Sequence, residues 1–186
     1  NLTVAVNPLP TPSITGDLTI CVGETTTLTA AGGITYKWND GGNNPIQDVM
    51  PNETTSYTVL VTDTNGCQAS ASVTVVVIPL PIANIAGDLT ICVGELTRLT
   101  ATGGTSYVWI NGEVTSTIDV NPTETTTYSV TVTDANGCQA STSVTVIVNP
   151  LPTPSITGDL TICVGETTRL TASVGSSYSW SNDSTS

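Results

Sequence analysis

Five cysteines and no histidine bound the chemistry open to this chain. The cysteines alternate as an early and a late member: Cys21 and Cys67, Cys92 and Cys138, then Cys163 with no late member after it. Cys67 minus Cys21 and Cys138 minus Cys92 both give 46. A zinc site would want close Cys or His neighbours such as C-x-x-C, and there are none. The spacing therefore predicts two disulfides, Cys21 with Cys67 and Cys92 with Cys138, and leaves Cys163 unpaired in this stretch. Closing a loop of that length stabilises a small unit by roughly 4 kcal/mol. Such bridges place the chain in an oxidising compartment, outside the cytoplasm.

Other chemistry is poorly supplied. A Ser or Cys nucleophile has no imidazole base to activate it. The acids Asp17, Glu24 and Asp63 recur from copy to copy, the first two three times and Asp63 in both whole copies, and sit in predicted turns, so they do not read as a glycosidase carboxylate pair. The chain is not expected to be an enzyme. Together with Asn65 the same acids are hard oxygen ligands that calcium could use, but the dense Asp/Asn alternation of a calcium loop is missing, and turn formation is the reading favoured.

The elements that position these residues follow a strict period. GDLTICVGE occupies residues 16–24, 87–95 and 158–166, and Cys92 minus Cys21, Cys138 minus Cys67, Trp109 minus Trp38 and Trp180 minus Trp109 all give 71. A spacing that never slips means one folding unit copied in tandem. The expected division is residues 1–7 as the last strand of a preceding repeat, 8–78 and 79–149 as whole repeats, and 150–186 as the first half of another. The chain then reads as a window on a longer polypeptide, with donation of residues 1–7 to a neighbouring subunit as the runner-up. The PLP segments at 8–10, 79–81 and 150–152 interrupt the ladder and act as short, stiff joints.

Within a repeat the pattern is β. Thr makes up about one residue in five, which suits half-exposed pleated surfaces. Strands are predicted near 18–22, 25–30, 36–38, 46–50, 57–62 and 67–78, with Asp63-Thr64-Asn65-Gly66 as a hairpin turn. Trp38, Trp109 and Trp180 hold phase while their neighbour changes from Lys37 to Val108 to Ser179, so the indoles are core anchors, as are Tyr57 and Tyr128. The expected core of the first repeat is Leu28, Trp38, Val49, Tyr57, Val59, Val61, Val73 and Val75. Alternation sends Ile20 and Cys21 to opposite faces although both look partly buried, a conflict that a bulge or an edge position would resolve. About seven short strands per unit make a two-layer, all-β sandwich.

The net charge of −12, with Lys37, Arg98 and Arg169 as the cations, leaves no basic stripe for nucleic acid. No apolar run approaches the roughly 20 residues of a membrane helix. The sequons at Asn1, Asn52 and Asn182 and the Asp183-Ser184-Thr185 stretch are weak hints of glycosylation.

The residues TICVGETTTLTA (19–30), Tyr36-Lys37-Trp38, TTSYTVLVTDTNGC (54–67) and the PLP joints together resemble the immunoglobulin-like and PKD-like tandem repeats of large secreted and cell-surface proteins of Bacteroidetes. The resemblance spans the whole chain. It implies tandem immunoglobulin-like sandwiches joined end to end, export to the cell surface, and adhesion or fibre formation. Unlike antibody-type domains, Tyr57 lies ten positions before Cys67, so the bridge is expected to tie the first strands to the final hairpin at one end of the sandwich.

Two functions follow. One is a disulfide-stapled, tension-bearing stalk or filament at the bacterial surface, whose partners are neighbouring repeats or copies of itself. The other is an adhesin or glycan-binding accessory module. Its contact surface would be the loop that varies most between copies: Asn39, Asp40, Asn43 and Asn44 in the first, Ile110, Asn111 and Glu113 in the second, and residues 181–186 in the third.

Overall fold

The structure is a computed structural model and describes residues 2–181. Among the described residues every element longer than a single bridge is a strand, and the strands recur in step. β1 (Ser13–Thr15), β2 (Thr19–Cys21), β3 (Thr26–Ala31), β4 (Thr35–Trp38), β5 (Ile46–Val49), β6 (Thr55–Thr62) and β7 (Gln68–Ile78) come first. β8 (Asn84–Ala86), β9 (Thr90–Cys92), β10 (Thr97–Thr102), β11 (Ser106–Trp109), β12 (Thr117–Val120), β13 (Thr126–Thr133) and β14 (Gln139–Asn149) each begin 71 residues after their counterpart. β15 (Ser155–Thr157) and β16 (Thr171–Ser173) follow.

By internal contacts the chain falls into two compact units. The first is Asn1–Ile85 with Ala101–Ser116 and Ser129–Thr142. It contains a complete β-sandwich, one sheet ordered β1-β3-β5 and the other β2-β7-β6-β4. Side-chain alternation builds its core. On β6, Tyr57, Val59 and Val61 point inward while Thr58, Leu60 and Thr62 do not, the residues of one face being two apart. Trp38 lies opposite Val59, and Val59 opposite Ala71, so one inward row crosses three strands. Ile20, Leu28, Ala30 and Val49 close the core from the other strands. All eight residues expected there are in or against it, with Val73 half-buried beside the rest.

The second unit is Ala86–Thr100 with Thr117–Tyr128 and Ser143–Ser186. Its strands contribute to sheets ordered β12-β10-β8 and β11-β13-β14-β9, and β15 pairs with β16. β9 runs parallel to the end of β14, with Cys92 opposite Asn149.

Three expectations need correcting. Trp180 is half-buried rather than a core anchor, because among the described residues after Asn149 only the two-stranded β15–β16 sheet stands near it in sequence and supplies no second layer. Tyr128 is half-buried too, whereas Tyr57 is 7% exposed. Leu2, Val4 and Val6 alternate as a strand would, yet all three are exposed and residues 2–7 pair with no strand among the described residues. The strand β1 was not expected; with Ile14 its one large apolar residue, it is too short to show alternation. Asn1, Asn182 and Asp183-Ser184-Thr185 lie outside the described residues.

Gly16 opens the repeated stretch for a steric reason. Its φ is +153°, and a Cβ there would come 2.5 Å from the Thr27 carbonyl oxygen and 3.0 Å from Leu28 Cδ2. Gly87 and Gly158 meet the carbonyls of Arg98 and Arg169 in the same way, each at 2.5 Å. Gly16→Ala is expected to destabilise the first sandwich by roughly 1–3 kcal/mol, measured as a lower urea midpoint.

Candidate functional site

The cysteines are built into two kinds of turn. At the early position, Cys21 N–H donates to Glu24 Oε2 at 2.8 Å and Glu24 N–H donates to the Cys21 carbonyl at 3.0 Å, with Gly23 at φ +87° between them. At the late position, Asp63 Oδ1 accepts from the N–H of Asn65 at 2.9 Å and of Cys67 at 2.8 Å. Asp63 N–H closes that turn on the Cys67 carbonyl at 3.0 Å, and Gly66 supplies the positive φ the hairpin requires. Asp17 Oδ1 accepts from Thr19 N–H. Side-chain oxygens of Asp17, Glu24 and Asp63 thus shape turns, and no cluster of three or more acids, cysteines or histidines is spaced to hold a metal among the described residues.

The cross-link corrects the expected pairing. The structure joins Cys21 to Cys138, 117 residues apart in sequence and 5.6 Å between Cα atoms, and leaves Cys67, Cys92 and Cys163 as free thiols. The reason lies in the register of β2 on β7. The two strands are parallel, and Cys21 sits opposite Ile78 at the far end of an eleven-residue strand whose start adjoins Cys67. Ten residues of β rise put about 33 Å between those ends, against about 7 Å at most between bridged Cα atoms. Cys21 and Cys67 therefore occupy opposite ends of one sandwich. The parallel register of β9 on β14 separates Cys92 from Cys138 in the same manner.

Alternation also explains why Ile20 and Cys21 are both buried, at 5% and 9% exposure. Ile20 enters the core of its own sandwich, and Cys21, pointing the other way, is covered through its bond to Cys138. No bulge is needed. A cleft of about 480 Å³ borders the bridge, lined by Val22, Gly23, Glu24, Leu80, Gly137 and Gln139 beside Cys21.

The variable loop forms a second candidate. A groove of about 410 Å³ is lined by Asp40, Gly42, Asn43, Asn44, Ile46, Gln47 and Asp48. Trp38 positions it from below: its N–H donates to the Gly42 carbonyl and its Nε1–H to the Asn44 carbonyl, both at 2.8 Å. Asp40 accepts from Gly42 N–H at 3.2 Å and from the Gln47 amide, and Asp48 accepts from Thr27 Oγ1 at 2.5 Å. Gln47 Oε1 is buried and has no hydrogen-bond partner among the described residues. Burial, then the Asp40 carboxylate, pushes the Tyr57 phenol pKa up. Asn39, expected in this surface, is turned away from it: its amide donates to the Ser56 carbonyl and accepts from Thr58 N–H, fastening the loop to β6.

In the second loop Asn111 stands where Asp40 does, and Asn111 and Glu113 bond each other at 3.2 Å. Ile110 is exposed. Ile118 takes the place of Gln47 and is buried, while Arg98 takes the place of Thr27 and forms a two-pronged pair with Asp119 at 2.7 and 2.9 Å. That pairing holds the Asp119 carboxyl below its ordinary value, first through the hydrogen bond. The two loops share a frame around Trp38 and Trp109 and differ in what they present. The third variable loop lies outside the described residues from position 182 on.

Fold and cross-link define a class: an all-β chain of sandwich architecture, with a disulfide linking segments more than a hundred residues apart. No known family profile and no curated protein matches it. Among solved structures it is similar to a 1.5-MDa bacterial ice-binding adhesin, at 16% identity and a TM-score of 0.38, covering 82% of this chain and 70% of that one. It is also similar to a Ca2+-stabilised ice-binding adhesin of an Antarctic bacterium, at 18% identity and 0.46, covering 82% and 52%. A third is the SGBP-B protein of the Bacteroides ovatus mixed-linkage glucan utilisation locus, solved with a heptasaccharide, at 14% and 0.24, covering 82% and 47%. The chain thus spans about half the length of the last two. At these identities and scores the likenesses say nothing of what this chain binds.

Proposed function

We propose that this chain is a segment of an extracellular stalk or filament at a bacterial surface, built from repeats of residues 8–78 and 79–149 and made to carry tension. The observation that carries the reading is the Cys21–Cys138 bridge. A cross-link within one sandwich would protect that sandwich; one reaching from the first repeat into the second ties successive repeats together. Bridges of this kind form in oxidising compartments, which fits a secreted protein. The net charge of −12 keeps such chains soluble and mutually repelling where they are crowded. The test is mechanical: pulled by its ends, the oxidised chain should withhold the length between the bonded cysteines.

A second reading, an adhesin or glycan-binding module, is favoured by the loop groove, which Asp40, Asn43 and Asn44 line together with Gln47, whose buried Oε1 has no hydrogen-bond partner among the described residues. A sugar hydroxyl is the donor such an oxygen would take. On a glycan array, binding by the intact chain that Asp40→Ala or Gln47→Ala lowers at least tenfold would establish it. Uniform silence across the array is the outcome expected of a stalk.

A further inference from the structure

We infer that the Cys21–Cys138 bridge is one rung of a ladder in which the early cysteine of each repeat bonds the late cysteine of the repeat after it. Cys92 and Cys163 are then open early halves and Cys67 an open late half. Each takes a repeat of this same kind that presents the opposite half. The inference rests on the stalk reading and supplies the bond that continues the stalk.

The separation of 117 residues equals the 46 positions between an early and a late cysteine plus one period of 71. The bond therefore crosses one repeat boundary, and the same step applied to any other cysteine leads into an adjacent repeat. The free halves are also built like the bonded ones. Cys92 N–H donates to Glu95 Oε2 at 2.7 Å and Cys163 N–H to Glu166 Oε2 at 2.9 Å, matching Cys21 and Glu24. Gly94 and Gly165 both have φ +90°, close to Gly23. On the late side Cys67 N–H bonds Asp63 at 2.8 Å, as Cys138 bonds Asp134 at 2.9 Å. The early-half glutamate, present in all three copies, and the late-half aspartate, present in both whole ones, thus hold the two halves of one joint in shape.

Exposure follows the same division. Bonded Cys138 is 1% exposed and Cys21 9%, whereas Cys67 and Cys92 are half-buried and Cys163 is exposed, so each free cysteine is more open than the bonded pair. Bond formation removes one proton and one electron from each thiol. A small-molecule disulfide such as oxidised glutathione accepts both electrons and both protons, leaving two reduced glutathione molecules and the new S–S bond.

The test uses the 186-residue chain, reduced, reoxidised in a glutathione buffer, alkylated, and digested without reductant for mass spectrometry. The expected products are the Cys21–Cys138 linked peptide and, in disulfide-linked oligomers, peptides joining Cys67 to Cys92 or Cys163. Cys67→Ser should abolish the oligomers and leave the Cys21–Cys138 peptide. Like-with-like links, such as Cys67 to Cys67 or Cys92 to Cys163, would overturn the ladder, as would a chain that stays monomeric with three free thiols. Failure of the oligomers with the Cys21–Cys138 peptide intact leaves the stalk reading standing; a Cys21–Cys67 peptide removes both. The same digestion of native material separates the two sources of the partner. Reduction that leaves the chain mass unchanged points to repeats of one polypeptide, and reduction that releases separate chains points to further copies.

Discussion

Stretched by its ends without reductant, the chain will hold back the residues between Cys21 and Cys138, and adding reductant will release about 400 Å of extra length. The figure is the 117-residue separation at about 3.5 Å per extended residue. Bridges of the kind first expected, each 46 residues long, would instead release two steps of about 160 Å. Loop-closure energies do not separate these cases well, since a 117-residue loop is worth about 5 kcal/mol and a 46-residue loop about 4. Lengths separate them clearly. Optical-tweezer traces with and without reductant make the measurement, and Cys21→Ser should show the full extension in both buffers. A reductant-dependent step near 160 Å would refute the assigned pairing.

Replacing Trp38 by Ala is expected to cost the first sandwich about 3–5 kcal/mol. A domain of this kind has about 5–15 kcal/mol in all, so the variant should lose a large part of its folding free energy. The indole is 2% exposed, faces Val59 across the sheet, and ties the Asn44 carbonyl through Nε1. Trp38→Phe keeps most of the packing and loses that hydrogen bond, whose carbonyl belongs to the exposed Asn44 and can turn to water, at about 1 kcal/mol. Lys37→Ala, on the exposed face of the same strand, should stay within about 0.5 kcal/mol. Urea unfolding followed by circular dichroism measures all three. A Trp38→Ala shift no larger than that of Lys37→Ala would mean that the indole is not the anchor proposed.

The core was legible in the sequence because alternation is a local rule. Tyr57, Val59 and Val61 keep one face at alternate positions, and Trp38 keeps its phase while Lys37 gives way to Val108, which is 52% exposed. The bridge was not legible by the same route. Equal spacing suggested Cys21 with Cys67, but spacing along the chain carries no information on whether β2 lies parallel or antiparallel to β7. The useful signal was the conflict at Ile20 and Cys21. If Ile20 points into its own sandwich, Cys21 points out of it, and a buried outward cysteine has its partner elsewhere. For the loop groove, the sequence picked out Asp40, Asn43 and Asn44 through their variability, but it could not show that Asn39 is spent on the backbone of β6.

The parallel register of β2 on β7 also governs what happens after the sulfurs are parted. Load from the amino side first meets β1 on β3; once that short pair parts, it enters the amino end of β2 and leaves by the carboxyl end of β7, so the two strands are pulled past one another in shear. The rungs from Val76 N–H to the Leu18 carbonyl and from Val22 N–H to the Ile78 carbonyl, at 2.8 and 2.9 Å, take that load together instead of unzipping in turn. The fold therefore holds a non-covalent brake in series behind the covalent one.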